Sequence, residues 1–195
     1  IRPPENAVLA LYSTIYFQAK WSDQFKASNN TRDTFHAPSG DKTVTYMNKK
    51  LATMNYYYGD CFSAVRMGLK NGSSMWFILP DEDKTVDDVL VSGEYLDMIL
   101  NSDAYWESGY HVKKMLVNLS VPKFDITATG DLKEAAQKLG VTDIFDAQTA
   151  DFSTAVTGEY PVWLSGINQA TRVAIDEEGV TAASYVEMVA PGAAE

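Results

Sequence analysis

The side chains that most often do chemistry are thinly spread along this chain. His36 and His111 are remote in sequence and belong to no HExxH pair, nucleophile elbow or phosphate-binding loop, so neither a metal ion, a cofactor nor enzymatic activity is expected. Cys61 is the only cysteine, which excludes an intrachain disulfide; no His and Asn set is legible around it, and it reads as a half-buried strand residue. The unusual chemistry lies in the backbone of Ile175 to Glu195. From Val180 onward every second residue is apolar or small (Val180, Ala182, Ser184, Val186, Met188, Ala190), with Thr181, Tyr185 and Glu187 in the intervening set. That alternation predicts a strand with one face to bury and one to leave wet, stopped by Pro191-Gly192. Ahead of it, Asp176-Glu177-Glu178 and then Gly179 place like charges and a conformationally free residue where a strand should end, a composition suited to a turn that can bend two ways. The segment therefore reads as switchable.

Other elements must supply the sheet. Ala7 to Lys20 is a β-rich run, apolar on both faces in places, which suits a central strand covered on both sides and closed by Trp21. Ser28 to Gly40 reads as loop and short edge strands. Short strands follow over Val44 to Met47, Cys61 to Met67 and Ser74 to Leu79, the last two joined as a hairpin at Asn71-Gly72. An acidic turn at Pro80 to Asp83 can cap a helix beginning near Thr85, and Ser92 starts a second through Leu100, with Tyr95, Leu96, Ile99 and Leu100 on one side. Met115, Val117, Leu119 and Val121 alternate in a second long strand stopped by Pro122. A short amphipathic helix follows from Gly130-Asp131 to Leu139, ended by Gly140, and Pro161 to Asp176 is the strand that feeds the hinge. Strands and helices mix without a βαβ rhythm, so the fold class is α+β.

These residues carry a resemblance. IDEEGVTAAS is similar to the hinge of the serpins, inhibitors of serine and cysteine proteases that work by loop insertion. YSTIYFQAKW resembles that family's third central strand with its closing tryptophan, MWFILPDEDKTVDD its strand leading into a helix, and VNLSVPKFDITATGDLKEAAQKLGVTDIFD its strand, proline and helix block. The resemblance implies that residues 1–195 are part of a single serpin domain, about its second half, with hinge and reactive loop at 176–195. It implies a hinge of Glu177, Glu178, Gly179, Val180, Thr181, Ala182, Ala183 and Ser184, and a scissile bond at Ala193-Ala194, where a small residue suits an elastase-type pocket. Trp21, Lys123 and Glu177 would hold the entrance of the sheet closed yet separable. Ser13 and Gln169 stand where the family usually joins an asparagine and a histidine across the sheet, and both can donate and accept. Val180 replaces the more usual Thr or Ser at the first inserted position.

The function so implied is trapping of a serine protease, elastase-like, as an acyl-enzyme while the freed hinge inserts; the alternative is a non-inhibitory serpin, a carrier, storage or chaperone-like protein. Ladder bonds and burial nearly offset the entropy of ordering a loop, so driven insertion requires energy stored in the uninserted sheet, as the resemblance implies. A charge at an inserted position, as in Ala182→Glu, should stall it. Against the family's layout the chain starts about halfway through and ends inside the loop. The expected partners are therefore the target protease and the remaining segments of the same cleaved molecule, with an extracellular location suggested by the resemblance only.

Composition bounds the rest. Lys and Arg total 16 against 26 Asp and Glu, a net charge of −10 that argues against nucleic acid or an anionic membrane surface as partner. Lys49-Lys50 and Lys113-Lys114 read as solvated pairs. The triplets at Asn29, Asn71 and Asn118 fit the glycosylation pattern but read as chance matches.

Overall fold

The computed structural model describes residues 7–109, 111–158 and 161–191. They form two compact units. The first gathers residues up to 18 with 125–174 and the chain from 181 onward; the second holds 19–124 and 175–180. The mixture of helices and strands is the expected α+β class.

The first unit is built on a four-stranded sheet of β1 (Ala7–Lys20), β7 (Phe124–Asp131), β8 (Gly166–Ile175) and β9 (Gly179–Pro191), in the spatial order β1-β9-β8-β7. The predicted hinge strand thus occupies an interior position between β1 and β8. Helix α4 (Lys133–Lys138) brings Ala136, with Leu132 just before it, onto a core of Phe145, Leu164, Ile167 and Ala190. Val186, Met188 and Leu9 pack on that same core. Asp131 ties helix to sheet by accepting from Lys133 N at 2.8 Å and Ile167 N at 3.3 Å. Arg172 on β8 grips Asp125 on β7 with two bonds of 2.7 and 2.6 Å.

The second unit holds a five-stranded sheet of β2 (Thr31–Ala37), β3 (Gly40–Tyr58), β4 (Phe62–Gly68), β5 (Ser74–Pro80) and β6 (Val112–Pro122), the last paired to β3. β4 and β5 form the expected antiparallel hairpin, with Gly72 at φ 87° in its turn. Three short helices follow: α1 (Val86–Ser92), α2 (Glu94–Leu100) and α3 (Ser102–Ser108). Their core comprises Tyr57, Phe62, Ala64, Val89, Met98 and Val112, and Cys61 is buried in it. Among the described residues no helix is long and apolar enough to cross a membrane.

Several expectations change. β3 runs unbroken through 48–58, because a shift in its pairing with β6 between Lys49 and Ala52 absorbs the irregular stretch that hid it from period counting. The cap of α1 is Thr85 itself, locked to Asp88 in a reciprocal capping box, and not the acidic turn before it. On α2 the packed side is Tyr95, Met98 and Ile99, while Leu96 and Leu100 are exposed. β8 begins only at Gly166, and α3 has no counterpart in the sequence reading. β1 shows Leu11, Ile15 and Tyr16 to solvent, at the margin of its sheet, where coverage on both sides was expected. Lys49 is not solvated: its side chain is only 11% exposed, pairs with Asp23 at 2.8 Å and lies over the Phe25 ring.

Candidate functional site: the acidic turn and the strand it feeds

The acidic triplet leaves β8 through a tight turn organised by Asp176. Its carboxylate accepts Glu178 N at 2.8 Å and Gly179 N at 3.0 Å, while Asp176 N donates to Gly179 O at 3.1 Å. An aspartate does this because its short side chain reaches the backbone two and three residues on. The turn then docks on Trp21, which is fully buried. Trp21 Nε1 donates to Asp176 O at 2.8 Å and Trp21 N to Glu178 O at 2.9 Å. Phe25 meets the indole edge-on at 6.0 Å between centroids, and its own N–H donates to Glu177 O at 3.2 Å. The sequence therefore closes β1 with an indole because one side chain must fill the core and still offer a donor at its rim.

Glu177 turns to the other side. Lys123 Nζ donates to its carboxylate at 2.7 Å and Asn30 Nδ2 at 2.6 Å. Lys123 first, then Asn30, hold this carboxyl down at about 2, from an ordinary 4.5. The same contact raises the Lys123 ammonium above its usual value. A depressed carboxylate contributes stability that is present above its unfolded value and lost as pH falls through its folded value. Acid titration of the protein should accordingly show a loss of stability between pH 4.5 and 2. Glu177→Gln should remove that component, reading as a shallower acid-unfolding profile worth about 1–3 kcal/mol; an unchanged profile would mean the pair contributes nothing.

Lys123 and Glu177 pair, and Trp21 holds the neighbouring Asp176 and Glu178, with β9 inside the sheet. The expected Ser13 to Gln169 bond is replaced: β9 separates β1 from β8, and Gln169 Nε2 donates to Ser184 Oγ at 3.4 Å, with Thr171 Oγ1 also 3.4 Å from that hydroxyl. Ser13 itself is exposed.

Along β9 the two-faced pattern gives way to an interior strand. Val180 is buried, Thr181, Ala182, Ala183 and Ser184 are half-buried on both faces, and Val189 and Ala190 are both buried. No residue of β9 from Gly179 through Ala190 is exposed, because side chains of β1 and β8 stand beside it on both faces, which alternation alone could not reveal. At Gly179 the close approach is decisive. A Cβ there would collide with the carbonyl oxygen of Ala19 and stand 2.8 Å from Lys20 Cα, while the glycine φ is not in the left-handed region. It is needed for space in this state, not for a special dihedral. Glu178 forms an exposed pair with Lys20 at 3.4 Å. The proposed scissile bond, Ala193-Ala194, lies outside the described residues.

Asn30, Asp176 and Phe25 were missed as site residues. Asn30 was visible only inside a glycosylation-type triplet, and Asp176 only as one charge among three. His36 pairs with Asp41 at 2.8 Å and His111 with Glu94 at 3.4 Å, both away from this turn in the sequence order of the sheets. No cluster of His, Cys, Asp or Glu suited to a metal ion occurs among the described residues.

The acidic turn docked on a buried indole thus leads into a strand seated between β1 and β8. The chain belongs to the serpin family: the family model, described as Serpin (serine protease inhibitor), matches residues 2–194. It is 31% identical over 191 residues to an alpha-1-antiproteinase of Callosciurus caniceps, covering 95% of this chain and 43% of that one. Reaction-loop-cleaved lamprey angiotensinogen superposes with a TM-score of 0.80 at 23% identity, over 97% of this chain and 55% of the other. Reactive-loop-cleaved human thyroxine binding globulin gives 0.76 at 23% identity, over 97% and 54%. The chain therefore spans less than half the length of the curated relative.

Proposed function

We propose that this chain carries the hinge and inserting strand of an inhibitory serpin, and that residues 1–195 act as part of one serpin domain with the hinge and loop at 176–195. A serine protease attacks the loop as a substrate, an acyl-enzyme forms, and insertion of the freed strand before deacylation traps the enzyme. The observation that carries this reading is the seat of Gly179–Pro191 between β1 and β8, entered through a turn whose contacts with Trp21, Lys123 and Asn30 are intact. The inserted positions are small or apolar and uncharged from Gly179 through Val186, which keeps the barrier to insertion low. Small residues at Ala193 and Ala194 favour an elastase-like target. The working compartment is extracellular by kinship with the antiproteinases.

The fold is shared with a binding globulin as well as with antiproteinases, so fold alone does not choose between trapping and carriage. The test is to mix the full-length protein with an elastase-like serine protease and resolve the products under denaturing conditions. The expected result is a denaturant-resistant covalent complex with release of a peptide beginning at Ala194. Cleavage without complex, repeated across several protease specificities, would establish the non-inhibitory reading instead.

A further inference from the structure

Within β9, Gly179 to Pro191, one residue is charged: Glu187. A carboxylate in an interior strand is costly unless something receives it. By alternation Glu187 shares its face of β9 with Tyr185, and Tyr185 is stacked on Tyr12 of β1, with centroids 5.9 Å apart and planes 23° from parallel. Tyr12 Oη is buried and has no partner at hydrogen-bonding geometry. Among the described residues, a buried hydroxyl on β1 has no hydrogen-bond partner and a half-buried carboxylate on the neighbouring β9 has no ion-pair partner, each lacking what the other offers. Burial first, then the Glu187 carboxylate, push the Tyr12 phenol above its ordinary value, and the Tyr185 phenol is raised by the same two causes.

We propose that Tyr12 is a positioning residue for strand insertion, its phenol receiving the Glu187 carboxylate and so selecting the register in which the hinge strand enters beside β1. The inference rests on the inserting-strand reading above. A slip of one residue would turn Glu187 to the opposite face, toward the packed Val186 and Met188 side, and away from the phenol. The Tyr185 ring, stacked on Tyr12, limits the positions the phenol can take beside Glu187. Tyr12 lies outside the loop a protease reads, so its effect is on insertion and not on recognition.

The test is a double-mutant cycle in the full-length protein with Tyr12→Phe, Glu187→Leu and the pair combined. Two quantities are read: the moles of inhibitor consumed per mole of protease trapped, and the guanidinium midpoint of the loop-cleaved form, which needs no trapping. Tyr12→Phe is expected to raise the consumption ratio by about threefold to tenfold and to lower the cleaved-form midpoint, because the carboxylate is left unreceived. In the Glu187→Leu background the same substitution should change both by less than about twofold. Equal effects of Tyr12→Phe in both backgrounds, or none in either, would overturn the proposal. Failure of the unmutated protein to form any covalent complex would sink the inhibitory reading alone, and the cleaved-form cycle would still decide this one.

Discussion

Gly179→Ala should convert most encounters with protease into plain cleavage. In the inserted state a Cβ at this position meets Ala19 O and stands 2.8 Å from Lys20 Cα and 3.0 Å from Ala19 C. All three are backbone atoms of β1 at the point where it reaches Trp21, so no side-chain rotation relieves the contact. Overpacking of this kind costs about 1–3 kcal/mol even where neighbours can shift. Here the shift would have to break the Trp21 N to Glu178 O bond of 2.9 Å that anchors the turn. Under the proposed mechanism the penalty is expected to fall on the inserted state. The uninserted protein should express and fold normally, while the guanidinium midpoint of the cleaved form drops and covalent complex formation falls by tenfold or more, an estimate on the order of the steric cost. Undiminished trapping by Gly179→Ala would mean that the strand does not close against β1 at the turn.

Val180→Asp is the second large effect, and burial singles it out among the inserted positions. A charge at any inserted position, Ala182→Glu among them, is expected to stall insertion, and burial ranks the positions: Ala182 is half-buried whereas Val180 is 7% exposed. An aspartate there would be taken from water into a packed site without a cation opposite it, a cost of roughly 3–5 kcal/mol. Under the proposed mechanism insertion competes with deacylation, so a barrier raised by even half of that lets hydrolysis win by about tenfold or more. The expected outcome on a denaturing gel is cleaved inhibitor and free protease, with Ala182→Glu showing the same change more weakly. If Ala182→Glu proved the more severe, the burial order along β9 would be contradicted.

Both predictions depend on details that reading the sequence could only partly reach. The strand over Val180 to Ala190 was legible because small and apolar residues alternate, and Trp21, Lys123 and Glu177 were legible through family resemblance. What alternation could not show is the position of that strand within the sheet. A period of two describes a strand at a margin and a strand in the interior alike, and only the neighbours β1 and β8 make both faces of β9 half-buried. The part played by Asp176 was hidden for a different reason. Three adjacent acids look equivalent in a sequence, yet one caps the turn, one binds Lys123 and Asn30, and one pairs on the surface with Lys20. Lys49 shows a third limit: a lysine beside a lysine reads as solvated, and nothing local announces that Phe25 and Asp23 will enclose it. Ser13 and Gln169 were matched as partners for an uninserted sheet, and the inserted strand supplies Ser184 to Gln169 instead.

The central claim is that Gly179–Pro191 becomes an interior strand when the loop is cut. Amide hydrogen exchange of that segment, measured in the full-length protein before and after cleavage in 192–195, addresses it most directly. The account predicts fast exchange beforehand and protection comparable to β8 afterwards, since each N–H then lies between two neighbouring strands. Exchange that stays fast after cleavage would contradict it, for a strand without protection has not entered the sheet.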